Sequence, residues 1–244
     1  MNRNRFARVV PAAVLALFLT VVAYAQQQTV TPEMVVALKI VTAATIDPAG
    51  KNIAYVLTTP RGADEDAGGR YSELFVIPAA GGAAKQFTFK PNNASTPQWS
   101  PDGKWIYFAS RRKEFDEQNE VYRIPIDGGE AQLVSKSSNG VRQFKLSPDG
   151  KWLAYTMTDA ATAAEKNDTK KGADVQGVDK NFKQHRLYIQ AAGGDEAKAL
   201  TGDMSVWDFE WSPDGGQIIF QASATPRTDD SFMFKKFIWL RLTA

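Results

Sequence analysis

The chain has 244 residues, 43% of them hydrophobic and 23% charged, which is ordinary for one large globular domain or two small ones. It has no cysteine, which excludes disulfides, thiolate metal sites, a cysteine nucleophile and a lipidated cysteine behind a leader. The formal charge of +2 becomes −1 when the three arginines of the leader are removed, so no concentrated basic surface for nucleic acid or an anionic membrane is left.

In chain order, the leader comes first. Arg3, Arg5 and Arg8 precede an apolar run from Val9 to Ala25, broken only by Pro11 and Thr20 and ending Ala23-Tyr24-Ala25. Small residues at the first and third positions of that triplet fit a signal peptidase, so residues 1–25 are expected to be a secretory signal cut after Ala25. A run of 17 residues is short for a membrane span, and Pro11 would weaken a helix. These features imply a periplasmic or secreted destination without stable membrane insertion. Residues 26–43 come next, with Thr31-Pro32-Glu33 as a helix start: an N-cap hydroxyl, a proline at the first helical position and an acid suited to the dipole. Met34, Val35, Leu38 and Val41 give this short helix an apolar stripe, expected to pack on the edge of the domain that begins at residue 44.

From residue 44 the chain repeats. Ser100-Pro-Asp-Gly-Lys-Trp105 returns as Ser147-Pro-Asp-Gly-Lys-Trp152 and Ser212-Pro-Asp-Gly-Gly216, after a decayed copy Asp47-Pro-Ala-Gly-Lys51. Gly-Gly pairs at 81–82, 128–129 and 193–194 each begin 20 residues before the next copy's proline. Repeats of this size are stacked supersecondary units. In x-Pro-Asp-Gly the proline presets a type I turn and the glycine takes the left-handed position, while the Gly-Gly pairs cover positive φ in a second hairpin. The second copy predicts four strands: Pro97 to Ser100, Trp105 to Ser110, Glu120 to Ile126 and Ala131 to Val134.

The second strands, Trp105-Ile-Tyr-Phe-Ala109, Trp152-Leu-Ala-Tyr155 and Gln217-Ile-Ile-Phe220, are apolar on both sides, as a sheet covered on both faces requires. The fold expected is all-β, an incomplete β-propeller of about three and a half to four four-stranded blades covering 44–244, with blades near 44–90, 95–136, 141–202 and 206–244. Trp99, Trp211, Phe144 and Leu146 become packing between blades. The third copy carries 18 more residues than the second between turn proline and glycine pair. They fall in Thr158 to Gln184, expected to be an exposed loop without turn logic. The first copy's excess maps to Thr59 through Ser72, where Asp64-Glu65-Asp66 lacks the ligand spacing of a calcium loop and is expected to be solvated.

No catalytic constellation is visible. The one histidine, His185, stands at a strand entrance, and no serine lies in a Gly-x-Ser-x-Gly context, so no triad is assembled. Metal and phosphate sites are also not expected, because the ligand sets and a glycine-rich loop at a helix start are missing. No catalytic, cofactor-binding or metal residue is therefore assigned, and no cofactor. The fourth copy shows strands at Asp208 to Ser212 and Gln217 to Ala222 and a third at Phe237 to Leu242, with no glycine pair after it. A truncation or frameshift near Lys236 is the expectation.

These repeats, with Leu74-Phe-Val-Ile-Pro, Val121-Tyr-Arg-Ile-Pro and Leu187-Tyr-Ile-Gln before the glycine pairs, resemble the WD40-like propellers of two exported groups. One is the TolB-type periplasmic propeller. The other is the propeller of prolyl oligopeptidase family serine peptidases, with their acylaminoacyl and dipeptidyl peptidase branches. The opening Thr31-Pro-Glu-Met-Val-Val-Ala-Leu-Lys39, Ser110-Arg-Arg112 and His185-Arg-Leu-Tyr188 are more similar to the second. That resemblance implies a filter that admits peptides to a C-terminal α/β-hydrolase domain. Nothing in this sequence matches such a domain, so the chain is expected to be inactive alone. The first group implies instead a non-enzymatic propeller that binds a protein or peptide partner.

Overall fold

The structure is a computed structural model and describes residues 30–112, 118–172, 182–194 and 196–242. The leader and the Ala25 cleavage site lie outside the described residues. The chain divides into two compact units, residues 1–38 and 39–244. The first contains α1 (Pro32–Val36), capped as its sequence requires, with the Met34 amide donating to Thr31 Oγ1 at 3.3 Å.

The second unit is a run of antiparallel sheets. Sheet one holds β1 (Ile40–Ile46), β2 (Asn52–Thr59), β3 (Tyr71–Pro78) and β4 (Lys85–Gln86) in that order. Sheet two holds β5 (Asn93–Trp99), β6 (Trp105–Arg111), β7 (Asn119–Pro125) and β8 (Gln132–Leu133); sheet three holds β9 (Val141–Leu146), β10 (Trp152–Thr158), β11 (His185–Ala191) and β12 (Ala197–Ala199). Sheet four pairs β13 (Ser205–Trp211), β14 (Gln217–Ser223) and β15 (Lys236–Arg241). Each sheet is one blade, and the whole is an incomplete β-propeller. The first strand begins at Ile40, inside the segment expected to precede the propeller. The first strand of blade two starts at Asn93 rather than Pro97, because its ladder with β6 continues through a bulge between Ser95 and Gln98.

Turn chemistry closes the first hairpin of every blade. The amides of Gly50, Gly103, Gly150 and Gly215 donate to the carbonyls of Asp47, Ser100, Ser147 and Ser212 at 2.9–3.0 Å, as in a type I turn. Each Ser hydroxyl donates to the turn aspartate at 2.5–2.6 Å and accepts from the first amide of the next strand, at 2.9 Å from Trp105 and 3.0 Å from Trp152. These bonds hold the Asp102, Asp149 and Asp214 carboxyls below the usual range, the serine hydroxyl first among the causes. In the decayed copy Asp47 replaces serine and alanine replaces aspartate, yet Asp47 still braces the turn by accepting from the Lys51 amide at 2.7 Å and Asn52 Nδ2 at 2.9 Å. The turns also stack on one another. A Cβ placed on Gly150, whose φ is 71°, would come 3.0 Å from Pro101 Cδ of the preceding blade, so this glycine is fixed by backbone sign and by space.

Each joint between blades has its own core. Ala54, Val56, Leu74 and Val76 of blade one meet Ile106, Phe108, Tyr122 and Ile124 of blade two. Tyr107, Ala109 and Val121 face the other way onto Phe144, Leu153 and Tyr155 of blade three, and Ala154 and Leu187 face Phe209, Ile218 and Phe220 of blade four. Alternate residues of β6 and β10 thus fill different cores, which is why these strands read as continuously apolar. Burial of each large side chain contributes about 1.5–3 kcal/mol. Trp99 Nε1 donates to Thr45 O and Trp211 Nε1 to Lys145 O, both at 3.2 Å, bolting blade two to one and four to three. At the remaining joint Leu146 stands where the tryptophan would be, and Gln98 bridges instead, giving to Phe144 O at 2.8 Å and accepting from Leu146 N at 3.2 Å.

Two expectations are corrected. The insertion from Thr158 to Gln184 is not wholly loop: α2 (Ala163–Lys170) starts with a capping box in which Thr162 and Glu165 satisfy each other's amides. Lys183 then holds the Glu165 carboxyl down at about 2, with the Thr162 amide next among the causes. A second unexpected helix, α3 (Thr228–Met233), fills the connection before β15. The third glycine pair does not use positive φ, unlike 81–82 and 128–129. Its hairpin is one residue out of step, with Gly194 rather than Gly193 donating to the strand-end carbonyl of Ala191 at 2.9 Å.

Candidate functional site

The two ends of the blades differ. The Pro-Asp-Gly turns and glycine pairs lie at one end; the opposite end carries every β2–β3 type connection and every crossing between blades. The long insertions, the Glu65–Lys90, Glu165–Lys183 and Asp159–Arg186 ion pairs and the histidine all fall at this loop end, which makes it the candidate site.

A repeated bracket organises it. The amides of Leu74, Val121 and Leu187 on the third strands donate to the hydroxyls of Thr88, Ser135 and Thr201 at 2.8, 2.8 and 3.0 Å. The spacing is 14 residues in each blade. All three hydroxyl residues are buried. Just before each bracket stands a polar residue that reaches the next connection: Glu73, Glu120 and Arg186. Glu73 accepts from the Lys90 amide at 3.0 Å and Glu120 from the Ser137 amide at 3.0 Å, while Arg186 Nη2 donates to Asp203 at 3.2 Å. Blade three has therefore reversed the charge of this position.

In blade three Arg186 also makes a two-pronged pair with Asp159, Nε to Oδ1 at 2.7 Å and Nη2 to Oδ2 at 3.0 Å, which raises its pKa. Next to it, the His185 ring faces Thr158 Oγ1 at 3.1 Å and meets Trp207 edge-on with centroids 5.4 Å apart. Burial, then the charge of Arg142, lowers its pKa to about 4, so at neutral pH it is an uncharged ring held between two blades. Gln184 ties the same loop to blade four through Ser205 Oγ at 2.5 Å and the Ala224 carbonyl at 3.0 Å. In blade two, Glu120 is buried and accepts from Ser135 and Ser137 hydroxyls at 2.6 and 2.7 Å; burial outweighs those bonds and pushes its pKa up.

The first insertion is ordered by Glu65, the middle residue of the acidic cluster. It accepts from the Gly62 amide at 2.7 Å and pairs with Lys90 at 2.8 Å, which lowers its pKa; Asp64 and Asp66 do not join that pair. Arg61 lies over the Tyr71 ring at 4.6 Å and gives its Nε to Gly69 O at 2.9 Å. Trp99, Trp211, Phe144 and Leu146 sit in the joints between blades and not at this end. Among the described residues no three His, Cys, Asp or Glu side chains are placed to hold a metal ion, and no helix is long and apolar enough to cross a membrane. What the loop end can offer chemically is recognition: fixed charges, ring faces and hydroxyls on rigid strand ends. Sequence reasoning does not find the hydroxyl bracket, although its constant spacing is a signal.

A family model described as the TolB beta propeller domain matches residues 20–185. No curated protein matches the chain. Among solved structures, the acylaminoacyl peptidase of Pyrococcus horikoshii superposes with a TM-score of 0.59 at 14% identity, over 85% of this chain and 32% of that one. TolB from Acinetobacter baumannii gives 0.50 at 17% identity, over 75% of this chain and 40% of that one. The tricorn protease gives 0.50 at 14% identity, over 75% and 15%. The chain thus spans less than half the length of each, and at these identities the likeness carries the fold alone.

Proposed function

Since the chain belongs to the TolB β-propeller family, we propose that its blades form the substrate-gating propeller of an exported prolyl oligopeptidase-like serine peptidase, whose bond-breaking residues lie in a hydrolase domain outside this sequence. The observation that carries this reading is the set of segments most similar to that group: the opening Thr31 to Lys39, Ser110-Arg-Arg112 and His185-Arg-Leu-Tyr188. The site supports it. The long insertions fall at one end of the blades, where loops can select a peptide, while at the other end the first hairpin of every blade closes with the same glycine hydrogen bond. In this reading no residue of the chain is catalytic, no cofactor is needed, and export follows cleavage after Ala25 to give a product beginning at Gln26.

The purified chain should bind short unstructured peptides and hydrolyse no chromogenic peptide above buffer; saturable turnover would overturn the proposal. The second reading is a TolB-like periplasmic propeller that binds a protein partner, favoured by the description of the matching family. Capture of a folded periplasmic protein with no affinity for peptides would select it.

A further inference from the structure

Blades two and three carry one pair of positions with the charges exchanged. Counting from the first residue of the second strand, Arg112 stands seven after Trp105 as Asp159 stands seven after Trp152. Glu120 pairs with Ser110 in the register in which Arg186 pairs with Met157. In blade three the two positions form the Asp159–Arg186 ion pair. In blade two they do not meet, because Glu120 is taken by Ser135 and Ser137. The Arg112 guanidinium lies instead over the Tyr122 ring at 4.4 Å, with its Nε buried and without a hydrogen-bond partner among the described residues. Ser110 Oγ and Gln118 Oε1, flanking the same connection, are also buried without partners. Buried polar atoms left unsatisfied are rare and costly, and Arg112 alone of these three residues lines an open groove.

Arg112 opens into a groove of about 610 Å³ between the outer parts of blades one and two. Phe87, Ile124 and Leu133 form its floor, and Phe89 stands 63% exposed at its lip. Its size is within the range of ligand sites, about 300–1,000 Å³. Charge along it is ordered. Arg112 is at the loop end, and Glu130 follows the glycine pair at the turn end. The Lys90 ammonium, which also lines it, is matched by Glu65.

We propose that this groove binds the C-terminal end of an extended peptide, with the free α-carboxylate on Arg112 and an apolar last side chain on the floor. A guanidinium recognises a carboxylate through charge-assisted bonds, here on a cation already backed by a ring. The α-carboxylate fits better than an Asp or Glu side chain. It shares a Cα with an apolar side chain, so one residue satisfies both halves of the groove, whereas an acidic side chain leaves the floor empty. The order of charges sets the direction, carboxylate toward Arg112 and the chain running toward Glu130. This holds whether or not a hydrolase domain accompanies the propeller.

The test uses the full chain and three fluorescein-labelled tetrapeptides: Ala-Ala-Ala-Leu as free acid, the same peptide as C-terminal amide, and Ala-Ala-Ala-Asp amide. Anisotropy should show the free acid bound at least about tenfold tighter than either amide, the scale of one charge-assisted hydrogen bond. Arg112→Gln should remove that preference, while Arg111→Gln, the same charge change on the exposed neighbour, should leave it. Phe89→Ala, which alters only an exposed side chain, should weaken all three peptides and serves if Arg112→Gln fails to fold. Equal binding of acid and amide, a preference retained in Arg112→Gln, a preference for the Asp amide, or no binding at all would each overturn the proposal.

Discussion

Blades two and three are built on one plan and resolve their buried charge in opposite ways. Blade three places Arg186 at the bracket and neutralises it with two carboxylates from two different loops, Asp159 and Asp203. Blade two places Glu120 there and neutralises nothing; hydroxyls and one amide carry the carboxylate, and the arginine that could have paired with it is turned to a ring and a groove. The lesson is that a repeat conserves positions and not interactions. The hydrogen bond from the strand amide to a hydroxyl survives in all three complete blades, while the residue beside it is free to become a clasp or a receptor.

The comparison is broken most severely at Ser135. This fully buried hydroxyl accepts from Val121 N and donates to Glu120, so Ser135→Ala strands two groups and should cost about 2–3 kcal/mol in urea unfolding. Thr201→Val removes only the acceptor for Leu187 N and should cost about 1–2 kcal/mol. Asp159→Asn should follow at about 1–2 kcal/mol, since Asp203, with its side chain 94% exposed, is a poor substitute partner for Arg186.

Acid sharpens the contrast. The ordinary His185 value of 6.5 lies above its folded value of about 4, so the unfolded chain takes up that proton first, and blade three should lose stability as pH falls from about 6.5 toward 4. Glu120 behaves oppositely. Its pKa is raised above 4.5 in the folded chain, so its contribution is greatest in acid and declines as pH rises through the folded value. His185→Gln should flatten the acid limb of a stability-against-pH curve, and Glu120→Gln should flatten the opposite slope above pH 4.5. The smallest effect is expected at Arg112, whose one contact among the described residues is with a ring: Arg112→Gln should change unfolding free energy by no more than about 0.5–1 kcal/mol.

Most of the architecture is legible in the sequence because it depends on residues with few roles. Proline, aspartate and glycine in that order make one kind of turn, and an unbroken apolar strand such as Trp105 to Ala109 needs cover on both faces. The rest depends on pairings that spacing alone does not display. The bracket is hidden because its hydroxyl alternates between threonine and serine, both common residues. The α2 start, Thr162-x-x-Glu165, is a standard cap, but in a segment rich in lysine, aspartate and alanine it has no apolar stripe to announce it. The estrangement of Arg112 from Glu120 requires the register of two strands and the competing hydroxyls of Ser135 and Ser137, none of which a linear pattern orders. Nor can sequence reveal that Gln98 replaces a tryptophan bolt, since glutamine at that position is ordinary until its two backbone partners are known.

The stacked turns have a consequence of their own. Because Gly103, Gly150 and Gly215 each seat against the proline of the preceding unit, Pro48, Pro101 and Pro148, every module ends in the same plug and the same socket. Such units are interchangeable parts: a lineage could duplicate, delete or exchange whole modules, and with them the specificity written at the far end, without redesigning the coupling between neighbours.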